Sequence, residues 1–271
     1  MIPRVFAGAA AVALLLTACG HRPSDATHGR AYPLHTQIVA TTFWVGEQFD
    51  AHLADGSQVC STYDDEWARH WSGIDRGELP DDAAGCAGST VGGCDGVWTK
   101  DRCVTEKRTA AHHYFPTAAE PRENPFYLDL PYDDLNDPKG FAKRCDVIGW
   151  AHDKGYDGRC GDETFSFMKN RWVSIKGPNG KTCYGQIEDA GPSHDDEYHD
   201  ASYVFGRHDA RPAQRHFNNA GLDVSPALNG CLGFAELNGD SDTVDWRFAD
   251  EEDVPDGPWT RVVTDSGVTS G

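Results

Sequence analysis

The chain has 271 residues and carries 24 basic against 43 acidic side chains, a formal net charge of −19 at pH 7. A surface this anionic repels phosphate backbones and acidic polymers, which disfavours nucleic acid as a partner and electrostatic adhesion to anionic lipid. The length admits one elaborated domain or two small ones, and the core need not be marginal.

Residues 1–18 read as a targeting segment: one Arg, an apolar run from Val5 to Leu16, then Leu16-Thr17-Ala18-Cys19-Gly20. A small residue before a Cys directly after the run resembles a bacterial lipoprotein signal, which implies lipidation of Cys19, export, and a membrane anchor on the cell envelope. An ordinary secretory signal cut after Ala18 would leave Cys19 unmodified. The run is short for a spanning helix. Eight cysteines remain after Cys19: Cys60, Cys86, Cys94, Cys103, Cys145, Cys160, Cys183 and Cys231. An even number in an exported chain argues for disulfides, and sequence leaves the pairing open.

Residues 19–35, with scattered charge, Pro and Gly, read as a tether. Gln37 to Glu47 is a strand rich in β-branched and aromatic residues, Trp44 among them. Asp55-Gly56-Ser57 is a turn, and Ser61 to Trp67, with Asp64 and Asp65, opens a short helical segment through Trp71. Ile74 to Val104 is rich in Gly, Asp and Cys. A zinc site joining its cysteines to His112 and His113 is disfavoured, because close Cys-x-x-Cys pairs are absent and the compartment is oxidising. The stretch reads as a disulfide-stapled, loop-rich insertion, placed at about 50–165.

Asn124 to Asp134 contains a strand in which Tyr127 and Asp129 share one face. Further turns follow, with Asp146 to Trp150 expected as a short apolar strand. Trp172–Lys176 and Lys181–Ile187 form a hairpin about Asn179-Gly180 and deliver Asp189 to a strand end, where Gly191-Pro192 must leave the sheet. Asp195, Asp196, Glu197 and Asp200 make an acidic loop; without a Gly-centred calcium loop it reads as solvated, so no metal is assigned. Then Leu222 and Val224 flank Asp223, Ser225 caps a helix with Pro226 at its first position, and Gly233 stops it. Val244 to Phe248 is a closing strand, and 265–271 reads as a disordered tail.

The segments Glu188-Asp189-Ala190-Gly191-Pro192, Leu222-Asp223-Val224-Ser225 and Leu232-Gly233 together resemble the double-psi β-barrel family of rare lipoprotein A, expansins and family-45 glycoside hydrolases. The family's Arg after the first Asp is Ala190 here, and a His expected before a Leu-Pro pair falls on Tyr127. The resemblance implies a mainly β fold: a six-stranded double-psi β-barrel over 36–264 with short helices. It implies cleavage of β-linked polysaccharide, peptidoglycan or neutral β-glucan, with Asp223 as general acid and Asp189 assisting. Glycosidic cleavage needs one protonated carboxyl and, for hydrolysis, a second carboxylate. Tyr127, Asp129, Trp44 and Asp65 are candidate substrate contacts, and Trp150 a further sugar platform. No cofactor is implied, and the protein is expected to be a monomer. The alternative is a non-hydrolytic, expansin-like glycan-binding module. Each Asp also has a plain structural role open to it, at a turn or a helix start.

Overall fold

The computed structural model describes residues 30–45, 57–58, 60–73, 90–91, 97–98, 103–104, 106–117, 119–193 and 197–269. The chain divides into residues 1–30 and 31–271, and the fold described here belongs to the second unit. In chain order its main elements are β1 (His35–Thr42), α1 (Trp67–Ser72), β2 (Tyr127–Leu130) and α2 (Pro138–Val147). Then follow β3 (Trp172–Lys176), β4 (Thr182–Ala190), α3 (Ala201–Val204), β5 (Leu222–Val224), α4 (Pro226–Leu232) and β6 (Thr243–Phe248). Residues 57–58 pair with 90–91, and 97–98 with 103–104, as two-residue ladders.

Six strands close a barrel in the order β1-β6-β3-β4-β2-β5, and β5 returns to β1. Two of the six pairings are parallel, β2 with β4 and β1 with β5; the rest are antiparallel. Alternation along each strand decides which side chains go inside. Ile38 and Ala40, Leu128 and Leu130, Val173 and Ile175, Leu222 and Val224, and Val244 and Trp246 all belong to one buried apolar cluster. Their alternates, Tyr127, Asp129 and Asp223 among them, therefore lie on the outer face of the wall.

Several sequence signals act locally as expected. Ser225 accepts the Leu228 N–H at 3.2 Å, Pro226 takes the first helical turn, and Gly233 ends α4 in the left-handed region at φ 73°. That conformation favours glycine because a Cβ would crowd the carbonyl. Disulfides join Cys145 to Cys160 and Cys183 to Cys231, the latter tying β4 to α4 with the Cα atoms 6.4 Å apart. Cys60 is disulfide-bonded as well. Cys19, Cys86 and Cys94 lie outside the described residues, and of Cys103 only the backbone is described.

Other expectations are corrected. Asp146–Trp150 is not a strand. Asp137 caps α2 by accepting the Lys139 and Gly140 N–H groups, both at 2.8 Å, so helix runs to Val147. The buried Arg144 then donates to the carbonyls of Asp134, Arg159, Cys160, Asp162 and Phe165, which ties the following turns to the helix. The span 50–165 is not one insertion, because β2 within it is a wall strand. The tether ends before Tyr32, whose ring packs on Trp150 and Phe248. At the other end, the chain past 264 is not a loose tail through 269. Thr269 exchanges backbone hydrogen bonds with Tyr63 and Asp65, and Ser266 O accepts from Asn170. Among the described residues no helix is long and apolar enough to cross a membrane.

Candidate functional site

Registers on three neighbouring pairings place four outward-facing side chains in one row. Thr41 on β1 stands opposite Asp223 on β5, Asp223 opposite Asp129 on β2, and Asp129 opposite Asp189 on β4. A bulge between Leu128 and Asp129 shifts the β2–β4 register by one residue and brings the last two carboxylates level. Directly opposed residues have Cβ atoms about 4.5–5.5 Å apart, so three like charges would crowd one strip of wall.

Thr41 Oγ1 donates to Asp223 Oδ1. The Asp223 N–H donates to Asp129 Oδ1 at 3.1 Å. Asp189 Oδ1 accepts the N–H groups of Thr62 at 2.8 Å and Ala190 at 2.9 Å. Asp129 and Asp189 are 3% and 4% exposed, whereas Asp223 is half-buried and faces solvent in part. Gly191 makes room for the central carboxyl, since a Cβ there would sit 2.7 Å from Asp129 Oδ2.

Burial and like charge together favour the protonated forms. The Asp129 carboxyl is pushed well above the usual range by burial first, then by Asp223 and Asp189, with only the Asp223 N–H opposing. Burial raises Asp189 to about 7; the N–H groups of Thr62 and Ala190 oppose it, and Asp133 and Asp223 add to it. At neutral pH the row therefore retains a proton.

A loop from Ser61 to Asp65 lies over the strand ends. Thr62 is its clamp: its N–H holds Asp189 and its hydroxyl donates to Asp133 Oδ2. Burial also raises Asp133, with the Thr62 hydroxyl and the Asn136 and Leu135 N–H groups opposing. Next to Asp189 in sequence, Glu188 is fully buried against Lys169, at 3.0 Å. Burial lifts Glu188 to about 7 against the pull of Lys169. Thr41, Thr62, Asp133 and Lys169 were not singled out from sequence. Thr41 and Thr62 carry no local signal, and the Lys169–Glu188 pair is long-range.

Of the six residues expected at the site, the barrel brings together Asp223, Asp129 and Asp189. Tyr127 shares the outer face with Asp129 but is fully buried, packed with Phe43, Val45, Trp67 and Trp71, and its Oη accepts the Val45 N–H at 3.3 Å. Trp44 is 1% exposed and Trp150 likewise, so neither ring offers a face to a ligand as placed. Asp65 is held by its backbone to Thr269 at 3.0 Å and is not in the row. Glu47, Asp195 and Asp196 lie outside the described residues. Among the described residues no group of three or more His, Cys, Asp or Glu could hold a metal ion.

The connection from Asp189 to Asp223 is itself a built feature. It encloses a cleft of about 490 Å³ that starts at Pro131 and Pro192, where β2 and β4 run out, and continues along residues 197–202 and 213–216. Asp200 holds its walls together: its N–H donates to Pro131 O, and its carboxylate accepts from Ala213 N–H at 2.6 Å and Tyr203 N–H at 3.2 Å.

No protein-family model matches the chain, and no curated protein matches it.

Proposed function

We propose that this protein is an exported, lipid-anchored double-psi barrel that cleaves glycosidic bonds in envelope or extracellular β-linked polysaccharide. The observation that carries the reading is the row Asp223–Asp129–Asp189, in which two buried carboxyls hold protons near neutral pH beside a third that reaches solvent. A general acid for an acetal oxygen must be protonated at working pH, and enzymes achieve this by burial and by like-charge neighbours. In this reading Asp129 and Asp189 retain the proton of the row, and Asp223, the carboxyl that reaches solvent, touches the glycan and is the point at which that proton passes to the leaving oxygen. The two parallel pairings of the closed barrel support the double-psi topology, and the resemblance over residues 188–192, 222–225 and 232–233 supports the glycan as substrate.

One observation favours the non-hydrolytic reading. Asp129 and Asp189 are almost wholly covered, which leaves Asp223 as the one carboxylate of the row open to a sugar. Hydrolysis requires a second carboxylate placed to activate water or attack carbon. A transglycosylase or an expansin-like binder does not.

The test is release of fragments from purified peptidoglycan and from neutral β-glucans, identified by mass spectrometry, for the wild type and Asp223→Asn. Fragments lost in the variant support cleavage by Asp223, and anhydro against reducing ends separate transglycosylase from hydrolase. Retention on one insoluble glycan with no fragments moves the function to binding. Neither fragments nor retention defeats both readings.

A further inference from the structure

The start of β1 is fastened to the connection between α3 and β5 by bonds that two histidines make only in their neutral form. Leu34 N–H donates to His208 Nδ1 at 2.8 Å, so that ring nitrogen carries a lone pair. One residue on, His35 Nδ1–H donates to Ala210 O at 3.4 Å; a carbonyl only accepts, which leaves the lone pair on Nε2. His35 Nε2 is buried without a partner, and the ring is wholly covered, stacked on Trp246 and tilted against Tyr203. A second proton on either ring therefore costs a contact. On His208 it removes the acceptor of Leu34 N–H, and on His35 it buries a cationic N–H that has no acceptor.

The other bonds across this junction do not depend on an imidazole. Thr36 donates from N–H and Oγ1 to Asp209 Oδ1 at 3.0 and 2.6 Å, Asp209 N–H to Leu34 O at 3.0 Å, and Arg211 Nη1 to Thr36 O at 2.5 Å. They hold a strained backbone: Gln37 and Asp209 lie in the left-handed region at φ 52° and 57°, and the β1–β6 register is irregular between His35 and Ile38. Burial lowers the His35 pKa; Ala210 O and Asp209 oppose it, while His208 and Arg211 add to it. Tyr203 stays neutral, because burial raises its hydroxyl. The closed junction thus binds fewer protons than the open one, and it loses stability as pH falls through 6.5, the ordinary histidine value.

We infer that His35 and His208 form a proton-released latch, through which mild acid frees residues 207–211 from the start of β1 while the barrel stays closed. Two features confine the opening. The carboxyl row retains protons in the fold, so acid strengthens that wall. Nearer the start of the connection, His199 Nδ1 lies 2.9 Å from Asp137 Oδ2, a contact that a protonated imidazole keeps.

Hydrogen exchange on the full-length chain tests this, read on the Leu34, Thr36 and Asp209 amides at about pH 7.5 and about pH 5, on either side of the histidine range, and corrected for the intrinsic rate. The wild type should lose protection roughly tenfold at the lower pH, on the scale of one hydrogen bond, with β3 and β4 as protected as before or more. In His208→Asn, Oδ1 replaces Nδ1 as an acceptor that cannot titrate; the residue is exposed, so the variant should melt with the wild type. Its acid loss should be clearly smaller, and adding His35→Phe, which keeps a stacking ring, should abolish the loss. Equal wild-type protection at both pH values overturns the latch. So does an undiminished loss in His208→Asn, which decides the matter even if His35→Phe does not fold, or a loss that extends equally to β3 and β4.

Discussion

Asp129 stands directly across the antiparallel pair from Asp223 and accepts its backbone N–H at 3.1 Å, while its other neighbour in register is Asp189. A carboxylate between two others on a barrel wall is unfavourable unless protons are retained.

Burial holds Asp189 at about 7 in the fold, against 3.8 for an unperturbed carboxyl. The unfolded chain loses this proton between about pH 4 and 7 while the fold keeps it. The associated stability is therefore full below about pH 4 and is lost as pH rises through 7. Asp189→Asn cannot ionise and still accepts the Thr62 N–H through its amide oxygen. Urea unfolding should find the variant close to wild type at about pH 4 and more stable at about pH 8.5, by up to about 4 kcal/mol.

Gly191→Ala would put a methyl group 2.7 Å from Asp129 Oδ2. Either the carboxyl leaves the row or the strand end shifts, at about 1–3 kcal/mol on the scale of overpacking. Chemical denaturation measures the cost. A variant as stable as wild type would show that Asp129 is not lodged against Gly191.

Lys169→Met leaves Glu188, which has no exposed side-chain surface, without its cation. Removing one partner of a buried pair costs about 3–5 kcal/mol, whereas replacing both with apolar residues is often close to neutral. Lys169→Met should therefore be strongly destabilised, and Lys169→Met with Glu188→Leu should recover most of the loss. Additive single and double effects in that cycle would contradict a coupled pair.

Ser225→Ala removes the side chain that accepts the Leu228 N–H at the start of α4. The expected loss is about 1 kcal/mol in the unfolding free energy. The geometry of Asp223, two residues earlier, is set by strand pairing on both sides, so glycan retention should be unchanged.

What sequence disclosed was local. Ser225, Pro226 and Gly233 announced α4, Asn179-Gly180 announced the β3–β4 hairpin, and the alternation Tyr127-Leu128-Asp129-Leu130 put Tyr127 and Asp129 on one face. Asp137-Pro138 is the same kind of signal, and the helix it starts runs to Val147, into the Asp146–Trp150 segment expected as a strand. What sequence did not disclose was register. That Asp129 meets both Asp189 and Asp223 depends on a bulge and on a parallel pairing across the chain, neither of which has a local mark. The burial of Tyr127 was equally hidden, since it depends on Trp67 and Trp71 of α1 packing against it.

The most direct measurement is a pH titration of the Asp carboxyl carbons by NMR, assigned with Asp129→Asn, Asp189→Asn and Asp223→Asn. The account predicts that Asp189 titrates near 7, that Asp129 titrates well above an ordinary aspartate, and that Asp223→Asn lowers both. If all three carboxyls titrated near 4, independently of one another, the row would hold no proton at neutral pH and the proposed acid chemistry would fail.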